Sequence, residues 1–407
     1  VGPLQGIRVL DLSRVLAGPW ATQVLADFGA TVYKVEKPGA GDDTRAWGPP
    51  WLPDGDGRPT AESAYYLSAN RGKRSLAIDL AHPEGAALVR ELARRCDVLV
   101  ENFKVGGLAK YGLGWPDLEP LNPRLVYCSI SAFGQDGPDA AGPGYDAMIQ
   151  ARGGLMSLTG RPDDEPGGGP QKVGVAVVDL MTGMYAVSAI LAALYERNAS
   201  GRGQYVDLAL LDTQVGWLAN QNLNYLVSGV PPRRQGTAHP NIVPYQAFAT
   251  ADGHIMLAVG NDRQFAEFCR VADRVDLAQD ARHTTNASRV RHRQTLVPEI
   301  ERVLRTRTTA EWLRSLTGAG VPCGPINDLA EVFDDPQVRH RAMRFDLPHP
   351  SGGTVPQVRN PIVYSRTGLD YRDPPPLLGQ HTEAVLRDEL GLDAARIAVL
   401  RSACAIG

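Results

Sequence analysis

Apolar residues along the first half of the chain fall into short extended runs separated by helix-like stretches. Ile7–Leu12 and Thr31–Glu36 read as strands, and Ala17–Phe28 between them as a helix opened by Gly18-Pro19, where proline's missing N–H is harmless. Further strands are predicted at Leu76–Leu80, Asp97–Glu101 and Leu125–Ser131, with a helix at His82–Arg95 and another running to Tyr111. The alternation predicts an α/β fold, a doubly wound parallel sheet with helices on both faces. Val173–Val178 reads as another buried strand. From Leu180 the chain is apolar on nearly every side, the pattern of a buried helix.

The uninterrupted apolar run Met184–Tyr195 is shorter than the roughly 20 residues a bilayer span needs, so a core helix and no membrane partner are expected. Val206–Leu226 reads as helical, and the polar, proline-containing Gly229–Gln235 as a boundary. Beyond it, Tyr245–Thr250 and His254–Val259 form a predicted hairpin around Ala251-Asp252-Gly253, followed by helices at Arg263–Ala272, Gln294–Arg305 and Ala310–Leu316. The expected organisation is a large domain over 1–228, a smaller α+β domain over 229–325, and a 326–407 segment returning to the large domain, with a last helix near Thr382–Glu389.

Composition narrows the chemistry. A net charge of −3 with 21% charged residues argues against nucleic acid as a main partner, and the basic runs Arg289–Arg293 and Arg302–Arg307 read as solvated helix faces. Five scattered cysteines without a CxxC pair point to a reducing compartment, with Cys323 a packed thiol, and the eight histidines lack metal-ligand spacing, so no metal is expected. The N-terminus enters a strand directly, without a signal or transit pattern; a cytoplasmic location is expected, or the mitochondrial matrix if a transit segment has been removed. The first βα turn, Ser13–Gly18, has one glycine where the dinucleotide fingerprint needs three, which argues against NAD.

Lys37, Asp79, Asn102 and Asp179 fall at predicted carboxyl ends of strands, where ligands of such sheets gather. Asp179 is the only charge between Lys172 and Glu196. It reads either as an N-cap accepting from Met181 or Thr182, or as a nucleophilic carboxylate in apolar surroundings. His381, in Gly379-Gln-His-Thr, reads as helping to cap the last helix.

Several motifs in order carry a resemblance: GIRVLDLSRVLAGP near the start, NRGKRS, DVLVENF, GYDAMIQARGGLMSLTG, the Asp179 stretch, GTAHPNIVPYQAF, VPCGPIN and PPPLLGQHT. Together they resemble the class III CoA-transferases, the family of formyl-CoA transferase and carnitine CoA-transferase that also includes the α-methylacyl-CoA racemases. The resemblance implies a Rossmann-like large domain, an interlocked homodimer, and coenzyme A or acyl-CoA as substrate with a carboxylic acid. It makes Asp179 the covalent residue, passing through a mixed anhydride and an aspartyl-CoA thioester. For CoA it points to the backbone around Leu16 and Ala17, to Lys37, to Ile78, Asp79, Leu80 and Ala81, to Asn102, Phe103 and Lys104, to Lys110, and to Gly144, Tyr145 and Asp146.

The pattern is most similar to the succinyl-CoA:dicarboxylate branch, that of succinate–hydroxymethylglutarate CoA-transferase. Arg45, Arg71 and His239 are then candidates to meet a distal carboxylate, and His239 and Asn241, in a 236–245 loop where relatives carry glycines, candidates to stabilise an oxyanion. Leu16 replaces a glutamine of formyl-CoA transferase, which argues against formyl transfer to oxalate. The alternatives are a 2-methylacyl-CoA racemase and a non-catalytic CoA-binding protein. The family's racemases carry a G-H-D segment where this chain has Gly144-Tyr145-Asp146, and a phenol is poorly matched to shuttling protons at neutral pH where imidazole is suited.

Overall fold

A computed structural model describes residues 2–407 as two compact units. The first comprises the chain up to Leu155, Val173–Val227 and Arg339–Gly407; the second comprises Met156–Lys172 and Ser228–Val338. The smaller unit thus takes in an early excursion, 156–172, which includes the proline- and glycine-rich run Arg161–Pro170, and extends to Val338 rather than ending at residue 325.

The first unit is built on a six-stranded, all-parallel sheet of β1 (Arg8–Asp11), β2 (Thr31–Glu36), β3 (Lys73–Ala77), β4 (Val98–Glu101), β5 (Val126–Ser131) and β6 (Tyr205–Ala209). Its order, β3-β2-β1-β4-β5-β6, is the doubly wound one, reversing direction between β1 and β4. One face is covered by helices α1 (Ala17–Asp27) and α2 (Val177–Ser200), whose Ala21, Leu25, Val178 and Ile190 pack with Val9, Val100 and Val126. The other face buries Leu10, Val89 and Leu92 with Leu386 and Leu400 of the returning C-terminal helices. Ile406 closes this return with a bridge to Ile78.

Below the carboxyl end of β1 lies a buried polar network. Lys73, from the NRGKRS motif, donates to Asp11 (3.0 Å), to Asn70 and to the Pro19 carbonyl; Lys34 of β2 donates to the Ser13 carbonyl and to Asp42, both at 2.9 Å. Both lysines and their carboxylates are fully buried, and the ammonium groups with the Ser13 and Thr22 hydroxyls hold Asp11 down to about 2 against the upward pull of burial.

The elements differ from expectation in four places. Val173–Ala176 is not a strand: with no neighbouring strand to pair with, the run stays irregular and Val175 is 56% exposed. The helix α2 has 24 residues and is long and apolar enough to cross a bilayer by length and composition. Thr182 and Gly183 lie inside it without breaking it. Its buried stripe, Val178, Thr182, Ala186, Ile190 and Ala193, faces α1 and the sheet, while Tyr185 and Tyr195 on its other side are exposed. Within Val206–Leu226 the first residues are β6, an edge strand, before helices Leu210–Trp217 and Asn220–Ser228 begin. A helix at Ala394–Ser402, capped by Asp393, follows the predicted last one.

The second unit holds a three-stranded antiparallel sheet, Tyr245–Ala249, His254–Ala258 and Cys323–Pro325, packed by Phe265, Phe268 and Trp312 of its helices. Arg289 there is fully buried, bonded to the carbonyls of Val243 and His283 and paired with Asp262. It is therefore part of the core and not of a solvated face.

Candidate active site

Asp179 is the third residue of α2, inside its first turn. It does not cap the helix. That role belongs to Asp146, whose Oδ2 accepts from Val178 N (2.7 Å) and Asp179 N (3.2 Å) while its Oδ1 accepts from Gln150 Nε2. With the helix end satisfied by another carboxylate, the Asp179 side chain is half-buried and, among the described residues, takes no hydrogen bond or ion pair. Burial, and then the neighbouring Asp146 charge, push its pKa up to about 7. A desolvated, unpaired carboxylate poised near neutrality is a group equipped to react.

The approach of α1 to this helix is close. A Cβ at Gly183, one turn beyond Asp179, would lie 2.7 Å from the Ala17 carbonyl oxygen, so glycine is what lets the two backbones meet. Leu16 and Ala17 are buried at the head of α1, with Leu16 in the flanking position.

Tyr65 also belongs to this region. Burial first, and then the Asp179, Asp146 and Asp42 carboxylates, push its phenol up to about 12, so it stays a protonated donor. Its ring meets Trp47 edge-on at 5.1 Å. Sequence reading passed over Tyr65 for the neighbouring NRGKRS run; the aromatic pair Tyr65-Tyr66 beside that run was the available signal.

A cleft of about 400 Å³ opens at the carboxyl ends of β1 to β4. Lys37, the Ile78–Ala81 segment, Phe103 and Tyr111 line it, as does Arg14, which the sequence reading did not single out. Lys37 is exposed at its edge, an ammonium free to meet an anion. Lys104 and Lys110 are exposed on the following loop, the latter over the Tyr111 ring at 4.7 Å.

Other predicted contacts are engaged elsewhere. Asn102 closes both sides of its amide on the Arg14 backbone, accepting from N at 2.8 Å and donating to O at 2.7 Å. Asp146 holds α2, Tyr145 beside it is 67% exposed, and Gly144 packs on Ala132. Arg45 is buried, bonded to Glu36, Glu62 and the Pro376 carbonyl, with its guanidinium over Tyr66 at 3.7 Å. Arg71 is buried in a two-pronged bond to Asp27, at 2.8 Å on each side, and in further bonds to Gln357 and the Val358 carbonyl. Both arginines fold the first unit together, because a buried guanidinium needs its partners, and neither presents a free cation to a ligand.

His239 and Asn241 lie in the second unit. His239 Nδ1 accepts from the Asn241 amide (3.0 Å), which leaves the proton on Nε2, and burial followed by Arg293 lowers its pKa. It is a neutral donor at physiological pH rather than the cation expected. The 236–245 loop is pinned by Arg293 on the His239 and Pro240 carbonyls and by Arg289 and Asn286 on Val243. His381 sits at the flanking position of the helix Thr382–Leu390 but does not cap it; its Nδ1 accepts from the Ser75 amide.

Among the described residues no cluster of histidine, cysteine, aspartate or glutamate forms a metal-binding group. All five cysteines are free thiols, and Cys323 is partly buried in its strand.

Comparison with known proteins shows the family of the chain. Residues 4–382 match the sequence profile of CoA-transferase family III. A succinate–glutarate CoA-transferase of Agrobacterium fabrum is 53% identical over 390 residues, 95% of either chain. The human succinyl-CoA:glutarate CoA-transferase is 44% identical over 403 residues, 99% of this chain and 90% of that one. The crystal structure of a CAIB/BAIF family protein from Brucella suis superimposes with a TM-score of 0.83 at 47% identity, covering 96% of this chain and 99% of that one.

Proposed function

Because this chain belongs to CoA-transferase family III, we propose that it moves CoA from succinyl-CoA to a second dicarboxylic acid of about glutarate size, with Asp179 as the covalent carrier. The half-buried, unpaired Asp179 carboxylate, raised to about 7 at the amino end of α2, carries this reading. The names of relatives of 53% and 44% identity support the choice of acids.

The steps balance as an exchange of acyl groups. An Asp179 oxygen attacks the succinyl thioester carbonyl, the C–S bond breaks, and a mixed anhydride and CoA thiolate form. The thiolate attacks the aspartyl carbonyl, releasing succinate and leaving an aspartyl-CoA thioester. The acceptor carboxylate attacks that carbonyl and displaces the thiolate again. The thiolate then takes the acceptor's acyl carbon, and Asp179 is returned as carboxylate. One thioester replaces another, so the protein's work is to keep water from the activated carbonyls and to stabilise each oxyanion. Burial of Asp179 serves the first, and the protonated Tyr65 phenol, near enough to feel the Asp179 charge, is the donor suited to the second. Lys37, with Lys104 and Lys110, suits the nucleotide phosphates, and the Phe103 and Tyr111 faces suit the adenine.

Incubation with succinyl-CoA followed by hydroxylamine should convert Asp179 to its hydroxamate, seen as a mass change on the peptide carrying it. Asp179→Ala should lose transfer and keep CoA binding; wild-type turnover in Asp179→Ala would falsify the mechanism. In D₂O, 2-methylacyl-CoA should gain no α-deuterium while CoA exchange is fast. Rapid deuteration without exchange would favour a racemase instead.

A further inference from the structure

The turn between β1 and α1 carries a strain that the proposed reaction does not by itself explain. Val15 has φ of +71°, in the left-handed region that a β-branched residue strongly disfavours. Glycine stands at most such positions of this chain, but here the turn is held by side chains from elsewhere.

Asn102, immediately after β4, brackets Arg14 with both ends of its amide, at 2.8 and 2.7 Å. On the other side the Val15 amide donates to Asp42, at 3.2 and 3.3 Å from its two oxygens, and Asp42 is itself held by the fully buried Lys34. β1 and β4 are the neighbouring strands at which the sheet order reverses, so the bracket ties the two lips of the ligand crevice together. The residues that follow Val15 are Leu16 and Ala17, and the Ala17 carbonyl lies against Gly183 of the Asp179 helix.

We propose that Asn102 is a positioning residue: with Asp42, it holds the Arg14–Val15 turn in its strained form and so fixes the Leu16–Ala17 backbone against the Asp179 helix. This rests on the CoA-transfer reading for its effect on rate, though not for its effect on the turn. Without the bracket Val15 relaxes to negative φ and the backbone after it moves. Glycine at position 15 accepts the left-handed conformation without penalty, so there the bracket is dispensable.

The test is a double-mutant cycle read in CoA exchange from succinyl-CoA. Asn102→Ala should lower kcat about tenfold or more while KM for succinyl-CoA changes about twofold at most; in a Val15→Gly background the same change should cost about twofold or less. Equal losses in both backgrounds, or no loss in either, would overturn the proposal. Asn102→Asp, which keeps the acceptor for the Arg14 amide but loses the donor to its carbonyl, should fall between and serves if the alanine variant does not fold. Amide hydrogen exchange of the peptide spanning 13–18 separates the two readings. If wild type exchanges no CoA, the function falls; if Asn102→Ala leaves exchange of that peptide unchanged, the clamp falls.

Discussion

At the scale of single residues, Asp179 and Asp146 divide between them what one aspartate was expected to do. Asp146 satisfies the helix end, and Asp179 is left uncompensated, raised to about 7 by burial and by that neighbour. A carboxyl with a folded pKa above its unfolded value keeps a proton that the unfolded chain has lost. Its protonation therefore favours the fold fully below about 4, the ordinary aspartate value, and that contribution is lost as pH rises from there through about 7. Asp179→Asn should accordingly show a higher Tm than wild type at pH 8, with the gap closing toward pH 5. As nucleophile the group must be ionised, so kcat/KM for CoA exchange should rise with pH through about 7. Asp146→Asn retains an acceptor for the α2 amides but removes the like charge, and should move that limb to lower pH. A limb that stays in place would show that Asp146 does not set it.

At the scale of elements, the site depends on two helices meeting and on buried ion pairs that bind segments to the sheet. Gly183→Ala would put a methyl 2.7 Å from the Ala17 carbonyl and 3.1 Å from the Trp20 ring. Forcing α1 and α2 apart should cost about 1–3 kcal/mol by denaturant unfolding, with loss of transfer out of proportion to loss of fold. Arg71 ties α1, through Asp27, to the strand Thr354–Val358 of a C-terminal hairpin. Arg71→Met leaves Asp27 buried without its ion pair, held only by the Asn360 amide, and should destabilise by about 3–5 kcal/mol. The ratio of kcat/KM for succinyl-CoA to that for butyryl-CoA should not change; a selective loss of succinyl-CoA would restore Arg71 as a substrate contact.

At the scale of the whole molecule, the first unit leaves several large apolar side chains exposed, among them Tyr195 (82%), Leu226 (71%) and Val227 (82%). The family resemblance implies an interlocked homodimer, in which such side chains would be available for contact with the second copy. Sedimentation at low micromolar concentration should show a dimer that parts only on unfolding. A folded monomer there would exclude the interlocked form.

What could be read from the chain alone was local or ordered along it. Strand and helix alternation around Val9, Val32 and Val98 made the parallel sheet legible, because core-facing runs are apolar wherever they pair. The succession of motifs located the family, and with it Asp179. What only the tertiary structure decided was which polar groups are already occupied. Asn102 meets Arg14 across 88 positions, Arg71 meets Asp27 across 44, and Asp146 reaches Val178 across 32. A side chain's partners and its desolvation depend on residues remote in sequence, so a free cation and a buried brace look alike until the chain is folded. The same holds for Val173–Val178, an apolar run that reads as a strand, whereas in the fold Val173–Ala176 stays irregular with no neighbouring strand beside it and Val177 and Val178 open α2.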